Sequence, residues 1–405
     1  MQINRRSSSY PRRGGPSCLT MIVFVVVAGA VFMLASNANT VIEAIVPTPT
    51  PEPTRSAASY ATSASLYQRD GEYEQAISSY ENAIQLDSEN PAYYVALINL
   101  LTLTNQPDDA LYWAERVILL ESGNDEVLSA VAAAYLLNGR RLAEVGELEE
   151  ADLQYQRAID SAQQATQING NSGLAYAYLA GALIAQNPNN FARAQEVVDL
   201  AVALEPDNPV VRYYRGVVLE TQGYYAQAID EYETAVSLDA TYVDPALSLA
   251  YSYFYSDNRQ RAIIILRDLI EANPTDANTH DALGWFYFLA GQYPDAEIYL
   301  EEAVRLDPEM VRARAHLGAT YFRQFNYLNA IPELEMAVEN FGGVTPTRAL
   351  FYNMLGFSHF RQDGNCQAAV PLFQQVIELD TNDINEDNAR QGLEDCRQAN
   401  IEESE

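Results

Sequence analysis

Small residues recur every 34 positions along this chain: Gly216, Ala250, Gly284 and Gly318 form one series, and Ala228, Ala262, Ala296 and Ala330 another. Leu219, Tyr253, Tyr287 and Tyr321 keep the same period between them, and Pro274 and Pro308 complete it. Small side chains at two fixed places with aromatics between, repeated at this interval, mean stacked helix pairs. The small residues let neighbouring helices approach closely, and the aromatics fill the space between them. One pair cannot bury its own apolar face, so the pairs must stack, and the expected fold is all-α.

With those positions in register, the chain resembles the tetratricopeptide-repeat family. His280, Leu283, Gly284, Tyr287, Ala296, Leu300, Ala303 and Pro308 fall on the family pattern, with His where Trp is usual. Arg314, Leu317, Gly318, Tyr321, Ala330, Leu334 and Ala337 repeat it. So do Tyr352, Leu355, Gly356, Ala369 and Phe373, after one extra residue in the turn. Upstream, Tyr60, Ala64, Tyr67, Gly71, Ala76, Tyr80 and Ala83 fit as well. Nine repeats follow, at 57–90, 91–124, 125–172, 173–208, 209–242, 243–276, 277–310, 311–348 and 349–383. The second is degenerate, with Ala114 and Val117 where an aromatic and Ala are usual. The resemblance implies a right-handed superhelical solenoid over 57–383.

The third repeat keeps Leu128, Val131, Ala132 and Tyr135, but Ala151, Tyr155 and Ala158 arrive seven residues late. Its second helix then runs through Ala162 and Ala165 to Ile168, where Asn169-Gly170-Asn171 stops it. Both helices of 125–172 are therefore expected to be about two turns longer, projecting from the solenoid. The extension reads either as an irregularity or as a docking ridge. Residues 384–405 leave the pattern: Ala389, Leu393 and Cys396 share one face of a helix that caps the last repeat, followed by an acidic tail.

Residues 1–18 form a basic leader, with Arg5, Arg6, Arg12 and Arg13. The uncharged run from Leu19 to Ala35 spans about 26 Å as a helix, and 19–36 is expected to be a transmembrane anchor. A cleaved signal peptide is the alternative, with small residues at Ser36 and Ala38 around a possible site. The arginines precede the run, so the positive-inside rule puts the N-terminus in the cytoplasm and the repeats outside it. Residues 37–56 carry Pro47, Pro49, Pro51 and Pro53, an extended and semi-rigid spacer.

All 24 basic residues are Arg, which removes Schiff-base lysines, the P-loop lysine and the ATP-positioning lysine of kinases. Against them stand 55 carboxylates, so the formal net charge is −31, and a nucleic-acid partner is not expected. His280, His316 and His359 fall at different repeat positions and suggest no joint site. Three Cys without CxxC spacing exclude a zinc ribbon. No nucleophile elbow, dinucleotide fingerprint or HExxH motif is present. The expectation is a protein that is not an enzyme and holds no metal or cofactor.

What remains is an interaction scaffold, membrane-anchored and extracytoplasmic, holding a peptide segment or partner domain in its concave groove. The alternative is an accessory or regulatory subunit of an envelope enzyme, secretion or polysaccharide-assembly system. Part of the family clamps C-terminal carboxylates with Lys, Arg and Asn. Here the Asn places hold Tyr251, Trp285, Ala319 and Phe357, so that mode is not supported. In the implied geometry first helices line the groove, where Phe254, Phe288, Phe322 and Phe360 form one ladder and Tyr251, Trp285 and Phe357 another. Tyr213 and Tyr255 lie nearby, while the first four repeats offer Ser65, Asn99, Ala133 and Gly181. The ladders read either as packing between repeats or as an apolar strip that takes an extended segment with some positive charge. Cys366 begins the last repeat's second helix and Cys396 ends the antiparallel capping helix, within reach of a disulfide. Two unrelated buried thiols are the other reading.

Overall fold

The computed structural model describes residues 18–36 and 55–402, in two units that divide after Arg55. The first unit contributes α1 (Cys18–Ser36). Among the described residues no helix is long and apolar enough to cross a membrane. This overturns the anchor expected at 19–36, and with it the single-pass membrane location and the inside–outside orientation. The helix has 19 residues, about 28 Å at 1.5 Å per residue, against a hydrocarbon core of roughly 30 Å. The leader at 1–17 and the Pro-rich stretch at 37–54 lie outside the described residues.

The second unit is helical throughout its described residues, with nine helix pairs and one further helix. Repeat one is α2 (Ala57–Arg69) with α3 (Tyr73–Leu86), and repeat two is α4 (Pro91–Leu103) with α5 (Pro107–Leu120). Repeat three is α6 (Asp125–Val145) with α7 (Leu148–Ile168), and repeat four is α8 (Gly173–Gln186) with α9 (Phe191–Leu204). Repeat five is α10 (Pro209–Thr221) with α11 (Tyr225–Leu238), and repeat six is α12 (Val243–Tyr255) with α13 (Arg259–Ala272). Repeat seven is α14 (Ala277–Leu289) with α15 (Tyr293–Leu306). Repeat eight is α16 (Val311–Arg323) with α17 (Tyr327–Asn340), and repeat nine is α18 (Ala349–Asp363) with α19 (Cys366–Ile377). The last helix is α20 (Ile384–Glu402).

Local chemistry starts and stops these helices. Asn90 and Asn208 accept a bond from the N–H two residues on, and Pro91 and Pro209 follow where no N–H is needed. Each turn within a pair places a residue in the left-handed region, except in repeat four, where a 3-10 turn at Pro188–Asn190 joins the helices. Gly71, Gly146, Gly223, Gly291 and Gly364 supply that residue in five repeats, Asn105 and Asp257 in two, and Phe325 (φ 63°) in repeat eight. The chain then closes back on the first helix, as where Gln106 N donates to Leu101 O at 2.9 Å. The small-residue series is a packing requirement: a Cβ on Gly284 would stand 2.5 Å from Leu300 Cγ. Around these contacts Tyr232, Phe286, Tyr352 and Phe373 are fully buried, each side chain stabilising by about 1.5–3 kcal/mol.

Repeat three departs from its neighbours. Helices α6 and α7 each run 21 residues, where repeats two and four use 13 or 14. The added turns do not project outward as a ridge. Their tip lies against repeats eight and nine. A Cβ on Gly146 at the tip would meet Phe341 O at 2.7 Å, and Arg348 Nη2 donates to Glu144 O at 2.8 Å. The inward course follows from side chains that find partners there.

At the other end, α20 packs on repeat nine with Ala389 and Cys396 buried. Cys366 and Cys396 form a disulfide with their Cα atoms 5.5 Å apart. Asn353 Nδ2 donates to Asn385 O at 2.8 Å beside it.

Candidate functional site: the inner cavity

First helices α12, α14 and α16 face the repeat-three extension across a cavity of about 570 Å³. The helices contribute Asp244, Leu247, Tyr251, Asn278, Ala282, Arg312 and Ala315. The extension contributes Leu137, Arg140, Arg141, Glu144 and Val145, and Phe341, Arg348 and Phe351 close one side. Asp307 and Glu309 also line it. Its walls alternate charged groups with aliphatic and aromatic surface.

Four guanidinium groups hold this arrangement. Arg140 Nη1 donates to Asp244 Oδ2 at 3.0 Å and Nη2 to Tyr214 Oη at 2.7 Å, joining repeat three to repeats five and six. Burial disfavours the Arg140 charge, but Tyr214, Tyr213 and Asp244 outweigh it and hold the group well above its ordinary pKa. Arg141 pairs with Asp108 at 3.2 Å. Arg312 Nη1 reaches Glu144 Oε1 at 3.1 Å, tying repeat eight to the extension. Arg348 donates only to backbone carbonyls, those of Phe341 and Glu144.

Behind the wall lies a buried charge network. Asp281, fully buried, accepts from Arg312 Nε at 2.8 Å and lies 2.7 Å from His316 Nδ1. Arg312 Nη2 also donates to Asn278 Oδ1 at 2.8 Å. Burial alone would raise the Asp281 pKa; the His316 and Arg312 charges beside it win, and it falls below the usual carboxylate range. His316 stacks on Trp285 with ring centroids 4.0 Å apart, and Trp285 stacks on Phe288 at 4.6 Å.

The expected aromatic strip does not lie open as one surface. Tyr213, Phe254 and Phe288 are buried. Tyr213 packs against Tyr214, Tyr232 and Tyr242, and Phe254 stacks on Phe286 at 4.1 Å. Trp285 is half-buried between His316 and Phe288. Tyr251 lines the cavity, with exposed Tyr255 stacked on it at 6.4 Å. Phe322, Phe357 and Phe360 are half-buried. One helical period places both the packing residue and the groove residue every 34 positions, so the period alone does not separate them.

The charged lining was missed by sequence reasoning. Its signal was a third ladder at the same interval, Asp244, Asn278 and Arg312. Nothing comparable announced Arg140 and Glu144, whose partners lie 104 and 168 residues away in the chain. Among the described residues, no group of His, Cys, Asp and Glu could hold a metal ion.

Family models described as tetratricopeptide repeat match residues 67–134, 179–243 and 277–310. The chain carries tetratricopeptide repeats. Among solved structures, the chain is similar to human IFIT1, seen as a dimer with m7Gppp-AAAA. That match has 16% identity and a TM-score of 0.55, covering 87% of this chain and 83% of that one. It is also similar to the APC/C hetero-tetramer Cut9-Hcn1, at 15% identity and a TM-score of 0.50, covering 89% of this chain and 82% of that one. At these identities the likeness shows the fold alone. No curated protein matches the sequence. A tetratricopeptide-repeat fold is typical of protein–protein interaction scaffolds.

Proposed function

We propose that this chain is a non-catalytic scaffold that takes an extended segment of a partner protein into the inner cavity. The observation that carries this reading is the cavity itself, walled by first helices on one side and by the repeat-three extension on the other. Its volume, about 570 Å³, falls within the range of formed binding pockets. Leu247, Ala315 and Phe351 supply apolar contact, while Asp307 and Glu309 suit a basic residue of the segment. An RNA end such as m7Gppp-AAAA is disfavoured, because a formal net charge of −31 repels phosphate.

A photoreactive residue in place of Leu247 is expected to cross-link one partner segment, whereas the same residue at the outward-facing Leu119 is not. Leu119 is 87% exposed on α5. Leu247→Trp, which fills the cavity, should lower capture of that partner at least tenfold with the helical circular-dichroism signal unchanged. Equal capture by the folded variant would contradict the reading.

A further inference from the structure

Phe325 occupies the left-handed turn position where repeats one, five and seven place Gly, and an L side chain is disfavoured there. Its ring is 71% exposed, so burial does not offset that cost. Leu328, three residues on, is 68% exposed. Their other contacts are thin: Phe325 meets Tyr327 edge-on at 6.4 Å. An aromatic ring kept both strained and bare is doing nothing for the fold that Gly would not do better.

The same edge holds two guanidinium groups without a carboxylate partner. Arg323 Nε donates to Tyr293 Oη at 3.1 Å, and Arg361 Nη1 to Tyr327 Oη at 3.4 Å. Each bond uses one of five N–H donors on a neutral acceptor, and neither guanidinium makes an ion pair with a described residue. Arg212 and Arg314, in repeats five and eight, pair with Glu231 and Glu333 at 3.0 and 2.8 Å. None of Arg323, Phe325, Leu328 and Arg361 lines the inner cavity, so this edge is apart from it.

We infer that the turn edge of repeats seven to nine is a second docking surface, for an acidic segment with large apolar residues. Carboxylates of the segment meet Arg323 and Arg361, and its apolar side chains cover Phe325 and Leu328. Successive first helices pack roughly 10 Å apart, the length of about three extended residues, which sets the spacing of the acidic groups.

The test uses the full chain and a fluorescein-labelled synthetic peptide with Asp and Leu alternating at that spacing, beside a counterpart with Arg for every Asp. Wild type should bind the acidic peptide, more weakly as salt rises. Phe325→Gly should bind it at least fivefold less tightly while melting at the same temperature or higher, because the turn strain is relieved. Arg323→Gln with Arg361→Gln should lose binding while leaving capture in the inner cavity unchanged. No binding of the acidic peptide by wild type, equal binding by Phe325→Gly, or tighter binding of the Arg counterpart would each overturn the inference.

Discussion

Asp281→Ala is expected to lower stability by about 3–5 kcal/mol, because it leaves Arg312 and His316 facing an emptied site in the interior. The carboxylate is fully buried and both neighbours point at it; Arg312 keeps Glu144 and Asn278, but the Nε donor of Arg312 and the His316 ring lose their acceptor. Chemical denaturation with helical circular dichroism reads this directly. The pH dependence has a definite sign. The folded-state pKa of Asp281 lies below its ordinary value. The group therefore binds more protons unfolded than folded, and its stabilisation is complete above the unfolded value of about 3.9. That stabilisation is lost as pH falls through the lower folded value. The stability gap between wild type and Asp281→Asn should thus shrink on acidification below about pH 4. A gap that widens on acidification would show that the ion pairs are not what Asp281 contributes.

Removing the Cys366–Cys396 bond should cost about 3–4 kcal/mol, from the lost restriction of a loop of 30 residues in the unfolded chain. The damage should be local first. Phe373, fully buried, lies under α20 so closely that a Cβ on Gly392 would meet its Cζ at 2.4 Å. In a stacked array each repeat contacts mainly its neighbours, so a loosened cap exposes repeat nine before the rest. Hydrogen exchange is expected to rise across α19 and α20 in the Cys366→Ser, Cys396→Ser double variant. Reductant should lower the denaturation midpoint of wild type and leave that variant unmoved. Identical midpoints for both proteins would remove the bond from the account.

Much of this fold was legible because its determinants are local and repeated. The series through Gly284 and Ala296 marks where two helices touch, and that contact recurs in repeats five, seven and eight. The late arrival of Ala151, Tyr155 and Ala158 announced a longer third pair. Its direction was not legible, since it depends on Arg140, Glu144 and Arg348 meeting groups on distant repeats, which no period records. The aromatic ladders failed differently. Phe254 and Tyr251 are three residues apart on one helix, yet one ring turns to Phe286 in the core and the other borders the cavity. Phe325 was visible only as a turn residue, and its cost emerges once the left-handed backbone beneath it is known. At the N-terminus, charge order and apolar composition suggested a span, yet no helix among the described residues is long and apolar enough to make one.

The claim that a partner segment threads between the repeat-three extension and the first helices is tested most directly by a crystal structure of the full chain. The crystals should contain the segment identified by cross-linking at position 247. The expected result is peptide density in the inner cavity, within 4 Å of Arg140, Tyr251 and Phe351, with a basic side chain toward Asp307 and Glu309. Peptide density confined to the second helices, with the cavity unchanged, would contradict it.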